Sequence, residues 1–122
     1  MQTSQEMKYF KLEEFDSPDL KGSGKNMKKD FLVKLDEARE LAGIPFKINS
    51  GFRTKAQNLK AKGASKSSHL IGVAADISCR DSVSRQIIVN ALITVGFTRL
   101  GIANSFIHVD LDINKPDAIW LY

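Results

Sequence analysis

Cysteine, tryptophan and histidine are scarce in this 122-residue chain: one Cys, one Trp and two His. The single thiol, Cys79, excludes an internal disulfide, so packing, and at most a bound ion, must hold the fold. Long hydrophobic runs are missing too. The longest strongly apolar stretch, Ile87 to Val95, is interrupted by Asn90 and Thr94, and the opening MQTSQEMKYF has no basic start followed by an apolar block. Neither a membrane span nor a secretory leader is legible, and synthesis in the cytoplasm is expected. No repeat, linker or low-complexity block divides residues 1–122, which are expected to form one domain with residues 1–26 as an irregular arm. Hydrophobic residues at 43% and charged residues at 26% fit a globular protein.

Acidic residues are absent from one long segment. Between Leu41 and Ala75 stand six basic residues (Lys47, Arg53, Lys55, Lys60, Lys62, Lys66) and no acid, whereas the rest of the chain holds 12 basic and 14 acidic residues. This belt attracts anionic polymers, nucleic acid or bacterial wall material, unless it is only a solvated lysine-rich loop. No sequence-reading motif for nucleic acid accompanies it. The stretch Gly22-Ser23-Gly24-Lys25-Asn26 fails as a phosphate loop, since Asp19 stands where the first glycine belongs and Asn26 follows the lysine.

Apolar spacing predicts a helix over Met27 to Ala42, with Phe31, Leu35, Ala38 and Ala42 on one stripe widened by Leu32 and Leu41. Thr54 is placed to cap a second helix running to about Lys62. Asp81 or Ser82 is placed to cap a third, whose Val83, Ile87, Ala91, Leu92 and Val95 share a face. Phe46 to Asn49 reads as a short strand. Ala74 to Cys79 and Phe106 to Asp112 alternate with period two, which puts Asp76 on one side of its strand and Ala75, Ile77 and Cys79 on the other. By the same rule Phe106, His108, Asp110 and Asp112 share a face opposite Ile107, Val109 and Leu111. Burying both greasy sides against helices yields an α+β fold, a small antiparallel sheet with Asp76 and His108 emerging together on its open, solvent-facing side.

His69, Asp76 and His108 supply the donor types of a three-ligand metal site. Two imidazoles and a carboxylate leave a divalent ion with positive charge to polarise a carbonyl and acidify water. Gly72 and Ala74 are small enough for the chain to double back close to an ion, and Ser67 is placed to bond the turn or touch a bound group. On spacing alone a lone histidine is more often a surface or satisfied core residue than a ligand. There is no HExxH helix. Cys79 projects away from Asp76 and is expected to be buried and inert, and Ser67 and Ser68 lack a nucleophile elbow.

The pattern Ser67-x-His69-x-x-Gly72-x-Ala74-x-Asp76, preceded by Ser50-Gly51-Phe52-Arg53 and followed by Phe106-Ile107-His108-Val109-Asp110, resembles the zinc D-Ala-D-Ala carboxypeptidase and L-Ala-D-Glu endopeptidase family. That family includes bacterial wall-processing enzymes and phage endolysins and shares its fold with the hedgehog signalling domain. The three blocks stand in the family's order over about half the chain, and Tyr9 to Asn26 is also similar to short phage and bacterial members. The resemblance implies that Zn2+ is held by His69, Asp76 and His108 on the open face of a hedgehog-like sheet. It implies that Arg53 grips a substrate carbonyl or carboxylate and steadies the oxyanion, and that a peptidoglycan stem peptide is the substrate of a monomer that does not insert into membrane. With no leader legible, action on the wall after lysis or as a virion component is expected. Many members carry Asp or Glu three residues before the last histidine ligand; here that residue is Ser105. Asp110 is the substitute, either as general base or only as the group that orients an imidazole. Asp112 reads as a solvated charge. The missing acid also leaves open a catalytically inactive, zinc-stabilised wall-binding module.

Overall fold

The computed structural model describes residues 7–122, so the first six residues of the expected arm lie outside the described residues. Among the described residues, three α-helices, α1 (Lys29–Ala42), α2 (Lys55–Lys60) and α3 (Ser82–Thr94), accompany five strands: β1 (Ile48–Ser50), β2 (Ala74–Ser78), β3 (Arg99–Ile102), β4 (Phe106–Asp110) and β5 (Ala118–Leu121). The strands form one sheet in the order β1-β2-β4-β3-β5. The expected α+β class and antiparallel centre hold, and an edge extends it: β5 runs parallel to β3, making the sheet mixed. Short 3-10 turns occupy Leu12–Phe15, Ser23–Asn26 and Ser68–Ile71.

Alternation decides which side of the sheet is dry. Ala75 and Ile77 of β2, Ile107 and Val109 of β4 and Leu100 of β3 are fully buried, and with Phe31, Leu32, Leu35 and Ala38 of α1 and Ile88, Ala91 and Leu92 of α3 they form one apolar cluster. Cys79 joins it, buried as expected. The phase of α3 differs from the expected one: Ile88 is buried, whereas Val83 is 72% exposed. The reason lies in the cap. The Asp81 carboxylate accepts from the Ser84 N–H at 2.8 Å, so Val83 falls in the capped first turn, and the buried residues Ile88, Ala91 and Leu92 come later in the helix. Thr54 likewise caps α2, accepting from the Gln57 N–H at 3.1 Å.

The arm is tied down by polar bonds. Asp36 of α1, a buried acid, accepts from the backbone N–H groups of Lys8 (2.9 Å) and Tyr9 (3.0 Å). Asp16 accepts from Gly22 and Gly24, so the glycine-rich stretch is an ordinary carboxylate-organised turn. Gly72 adopts φ +75, and a Cβ there would stand 2.2 Å from the Asn26 carbonyl. Its small size thus serves a left-handed turn pressed against the arm, rather than the approach of an ion. Among the described residues no helix is long and apolar enough to cross a membrane.

The α3 phase is checked by equilibrium urea denaturation: Ile88→Ala is expected to lower stability by about 2–5 kcal/mol and Val83→Ala by no more than about 0.5 kcal/mol.

Candidate metal centre

Three elements bring the polar residues together. In the β2–β4 ladder Asp76 pairs directly with His108, and Ala74 with Asp110. The Ser68–Ile71 turn, entered through Ser67, carries His69; the Ser67 hydroxyl accepts from the His69 N–H at 3.2 Å. The Ser50 to Arg53 stretch lies alongside, its Arg53 N–H donating to the His69 carbonyl at 3.1 Å. One cavity of about 390 Å³ is lined by every residue singled out from the sequence: Arg53, Ser67, His69, Asp76, His108 and Asp110.

One correction concerns exposure. The three candidate ligands do not emerge on a solvent-facing surface: His69 is 3%, Asp76 9% and His108 7% exposed. They form the cavity floor, because the chain around Ala61 to Ser68 and the aromatic side chains of Trp120 and Tyr122 wall the sheet face over.

Each imidazole is pinned at its outer nitrogen. His69 Nδ1 lies 2.7 Å from the Gly51 carbonyl, which can only accept, so that nitrogen carries hydrogen and Nε2 turns inward to within 3.4 Å of Asp76 Oδ1. His108 Nε2 lies 2.8 Å from Asp110 Oδ2, and its Nδ1 faces Asp76 Oδ1 at 2.9 Å. Two inward nitrogens and a carboxylate oxygen therefore converge, with ligand atoms of all three residues within 4.8 Å of one another. Three acceptors at that separation repel unless a proton or a cation stands among them. The donor set fits a divalent ion of the kind that imidazole and carboxylate hold.

Charge states agree with this reading. Burial opposes ionisation of Asp76, but hydrogen bonds from His108 and His69 and the charge of both rings outweigh it and hold the carboxyl well below the usual carboxylate range. Burial also pulls the His108 imidazole down, yet its bonds to Asp110 and Asp76 and their negative charge prevail and raise it. A proton thus fills the place a cation would take. Asp110, shifted down despite burial, accepts from His108, from the Asp112 N–H at 3.1 Å and from Arg99 Nε at 2.7 Å.

Several residues here were not foreseen. Arg99 clamps Asp110, bonds the Pro116 carbonyl and lies over the Trp120 ring at 4.9 Å. Asn58 accepts from Arg53 Nη1 at 3.2 Å, while Ser50 Oγ accepts from Arg53 Nε at 3.1 Å and Asp76 Oδ2 lies 3.5 Å from Nη2. Asp112, read as solvated, is 6% exposed and accepts from the Ser68 hydroxyl at 2.7 Å, with Lys115 Nζ 3.4 Å away. The chain turns inward after β4, where the Leu111 N–H meets the Val73 carbonyl. A signal existed for Trp120: Ala118 to Tyr122 is a short apolar run with Ile, Trp and Tyr, residue types that favour strands.

A mixed sheet over two long helices, with a buried His-Asp-His cluster able to hold a metal ion at the foot of a cleft, defines the protein as an α+β chain with a candidate metal site. The family model described as Peptidase M15 matches residues 8–110, and the chain belongs to that family, whose peptidases are metal-dependent. No curated protein matches the chain.

A metal effect of definite sign follows. Because the folded-state pKa of His108 is raised above 6.5, its protonated pairing stabilises the metal-free fold below that value, and the contribution is lost as pH rises through the raised one. A cation at the same atoms must displace that proton. The rise in Tm given by excess zinc over chelator-treated protein is therefore expected to be larger at about pH 8 than at about pH 5.5. An equal or larger rise at the lower pH would contradict the assignment.

Proposed function

We propose that the protein is a zinc-dependent metallopeptidase that hydrolyses an amide bond in peptidoglycan stem peptides, as a carboxypeptidase or an endolysin-type endopeptidase. The observation that carries this reading is the convergence of His69, Asp76 and His108 beneath Arg53 in one cavity of a Peptidase M15 chain. Zinc suits two imidazoles and one carboxylate, and what it supplies when bound is Lewis acidity toward an amide carbonyl and toward water. Hydrolysis joins the water oxygen to the carbonyl carbon and breaks the C–N bond, leaving a carboxylate and an amine.

The chain's own residues do the rest. Arg53, braced by Ser50, Asn58 and Asp76, holds a planar, permanently charged fork where negative charge develops on the carbonyl oxygen. Asp110 orients His108: both its oxygens are engaged, one by His108 and the other by Arg99 and the Asp112 N–H, which favours this role over accepting a proton from water. Ser67 holds the turn that carries His69 and lies at the passage to a neighbouring hollow of about 710 Å³, which shares Arg53, Ser67 and Lys115 with the metal cavity. Phe52, Leu70 and Ile71 line that hollow, together with the exposed Lys55 and Lys66. Aliphatic surface beside ammonium groups favours peptides that carry free carboxylates, as wall stems do.

One feature favours a second reading, an inactive wall-binding module held by zinc. Ser105 replaces the acid and does not line the cavity; its carbonyl accepts from the Cys79 N–H at 3.0 Å.

The deciding experiment is metal analysis of the purified protein followed by incubation with defined wall peptides and mass spectrometry of the fragments. Stoichiometric zinc and a new amine are expected, with His69→Ala and Asp76→Ala losing both metal and cleavage. Arg53→Ala is expected to keep its metal and lose about 10²–10³-fold in kcat. Zinc and wall binding with no product would favour the module. Asp110→Asn tests the orienting role directly, and a competing chelator should report zinc affinity weakened about 10–100-fold.

A further inference from the structure

One wall of the cavity has no task in this scheme. β5 sends Trp120 and Tyr122 across the site face of the sheet, and Gly101 permits it: a Cβ there would stand 2.5 Å from Trp120 Nε1 and 2.7 Å from Tyr122 Cε2. Gly101 pairs with His108 across the β3–β4 ladder and with Trp120 across β3–β5. The Tyr122 ring therefore rests above the residue beside a candidate ligand. Phe106 supports it at 5.1 Å between centroids, and its N–H is fixed to the Ile102 carbonyl at 3.0 Å. It lines the same cavity as Arg53 and Asp76.

Three of the other donors in that cavity are committed. Arg99 is spent on Asp110 and Pro116, the Ser68 hydroxyl on Asp112, and Lys115 on the Lys66 carbonyl and Ser68. Tyr122 differs. It lines the cavity beside Trp120, and a phenol can donate its hydrogen while its oxygen accepts another. The residue is 67% exposed, so the core does not require it.

We infer that Tyr122 is a catalytic residue of the proposed hydrolysis, its hydroxyl donating to the carbonyl oxygen of the scissile amide as that oxygen gains negative charge, beside Arg53. No proton is transferred; the phenol keeps its hydrogen throughout. Partial burial of the hydroxyl raises the phenol pKa above 10.0 against the opposing influence of Trp120, so the group is a donor and not a base at neutral pH. The inference rests on the peptidase reading, and its test separates the two.

Tyr122→Phe keeps the ring and removes only the hydroxyl. With a wall peptide that the wild type cleaves, kcat is expected to fall about 10²-fold with KM within about twofold, and zinc content and Tm unchanged. Calorimetric binding of the matching phosphinate peptide, whose tetrahedral centre mimics the charged oxygen, should weaken by a similar factor, while binding of the cleavage product does not. Unaltered kcat and phosphinate affinity would overturn the inference alone, and so would a loss of kcat that tracks lost zinc. A wild-type protein that cleaves no wall peptide would overturn both it and the peptidase reading.

Discussion

Asp76 and His108 face each other across the β2–β4 ladder, with Oδ1 of one 2.9 Å from Nδ1 of the other. Side chains on a strand alternate, so this pairing exists only while Ala75, Ile77, Ile107 and Val109 face the helices. A slip of one residue would carry both polar side chains into the core and both greasy sets out of it. The apolar cluster thus enforces the register, and the register aims the ligands. Only His69 comes from outside the sheet, and its aim depends on two backbone contacts, Gly51 carbonyl to Nδ1 and Arg53 N–H to its own carbonyl.

Electrostatics explains why so many ionisable groups tolerate burial here. Each of the three buried carboxylates at or beside the site has its own cation: Arg53 beside Asp76, Arg99 on Asp110 and Lys115 by Asp112. With neutral imidazoles these charges cancel, which a low-dielectric site requires. A divalent ion would then add a surplus of positive charge at the cavity floor, next to the basic belt between Leu41 and Ala75, a segment with no acid of its own. Both fields draw an anionic chain in the same direction.

Much of this arrangement is written locally in the chain. Period-two alternation reveals the two central strands and the shared face of Asp76 and His108, and side-chain caps mark Thr54 and Asp81 as helix starts. What was hidden depends on contacts between distant segments. Arg99 carries no signal until antiparallel pairing sets its strand beside β4 and within 2.7 Å of Asp110. β5 joins in parallel after a separate excursion of the chain, so neither its pairing nor the overlap of Trp120 with His108, 5.5 Å between rings, follows from spacing. Asp112 looked solvated because alternation extended its strand two residues too far; the strand stops at Asp110 and the turn that follows buries the acid under Ser68.

The two faces of the sheet also divide the work of stability. On one side lies an apolar cluster complete without any ion; on the other, three acceptors that need a proton or a cation between them. Small zinc folds with no core of their own unfold when the ion leaves. Here removing a bound ion would take nothing from the packing of α1 and α3, so the effect must be local. It falls on the Ser68–Ile71 turn, whose short 3-10 bonds are weaker than a helix's and whose histidine, once the ion is gone, has only Asp76 to hold its inner nitrogen. A metal on this scaffold would therefore order the turn that carries His69, while the sheet beneath keeps its ladder and its hydrophobic packing.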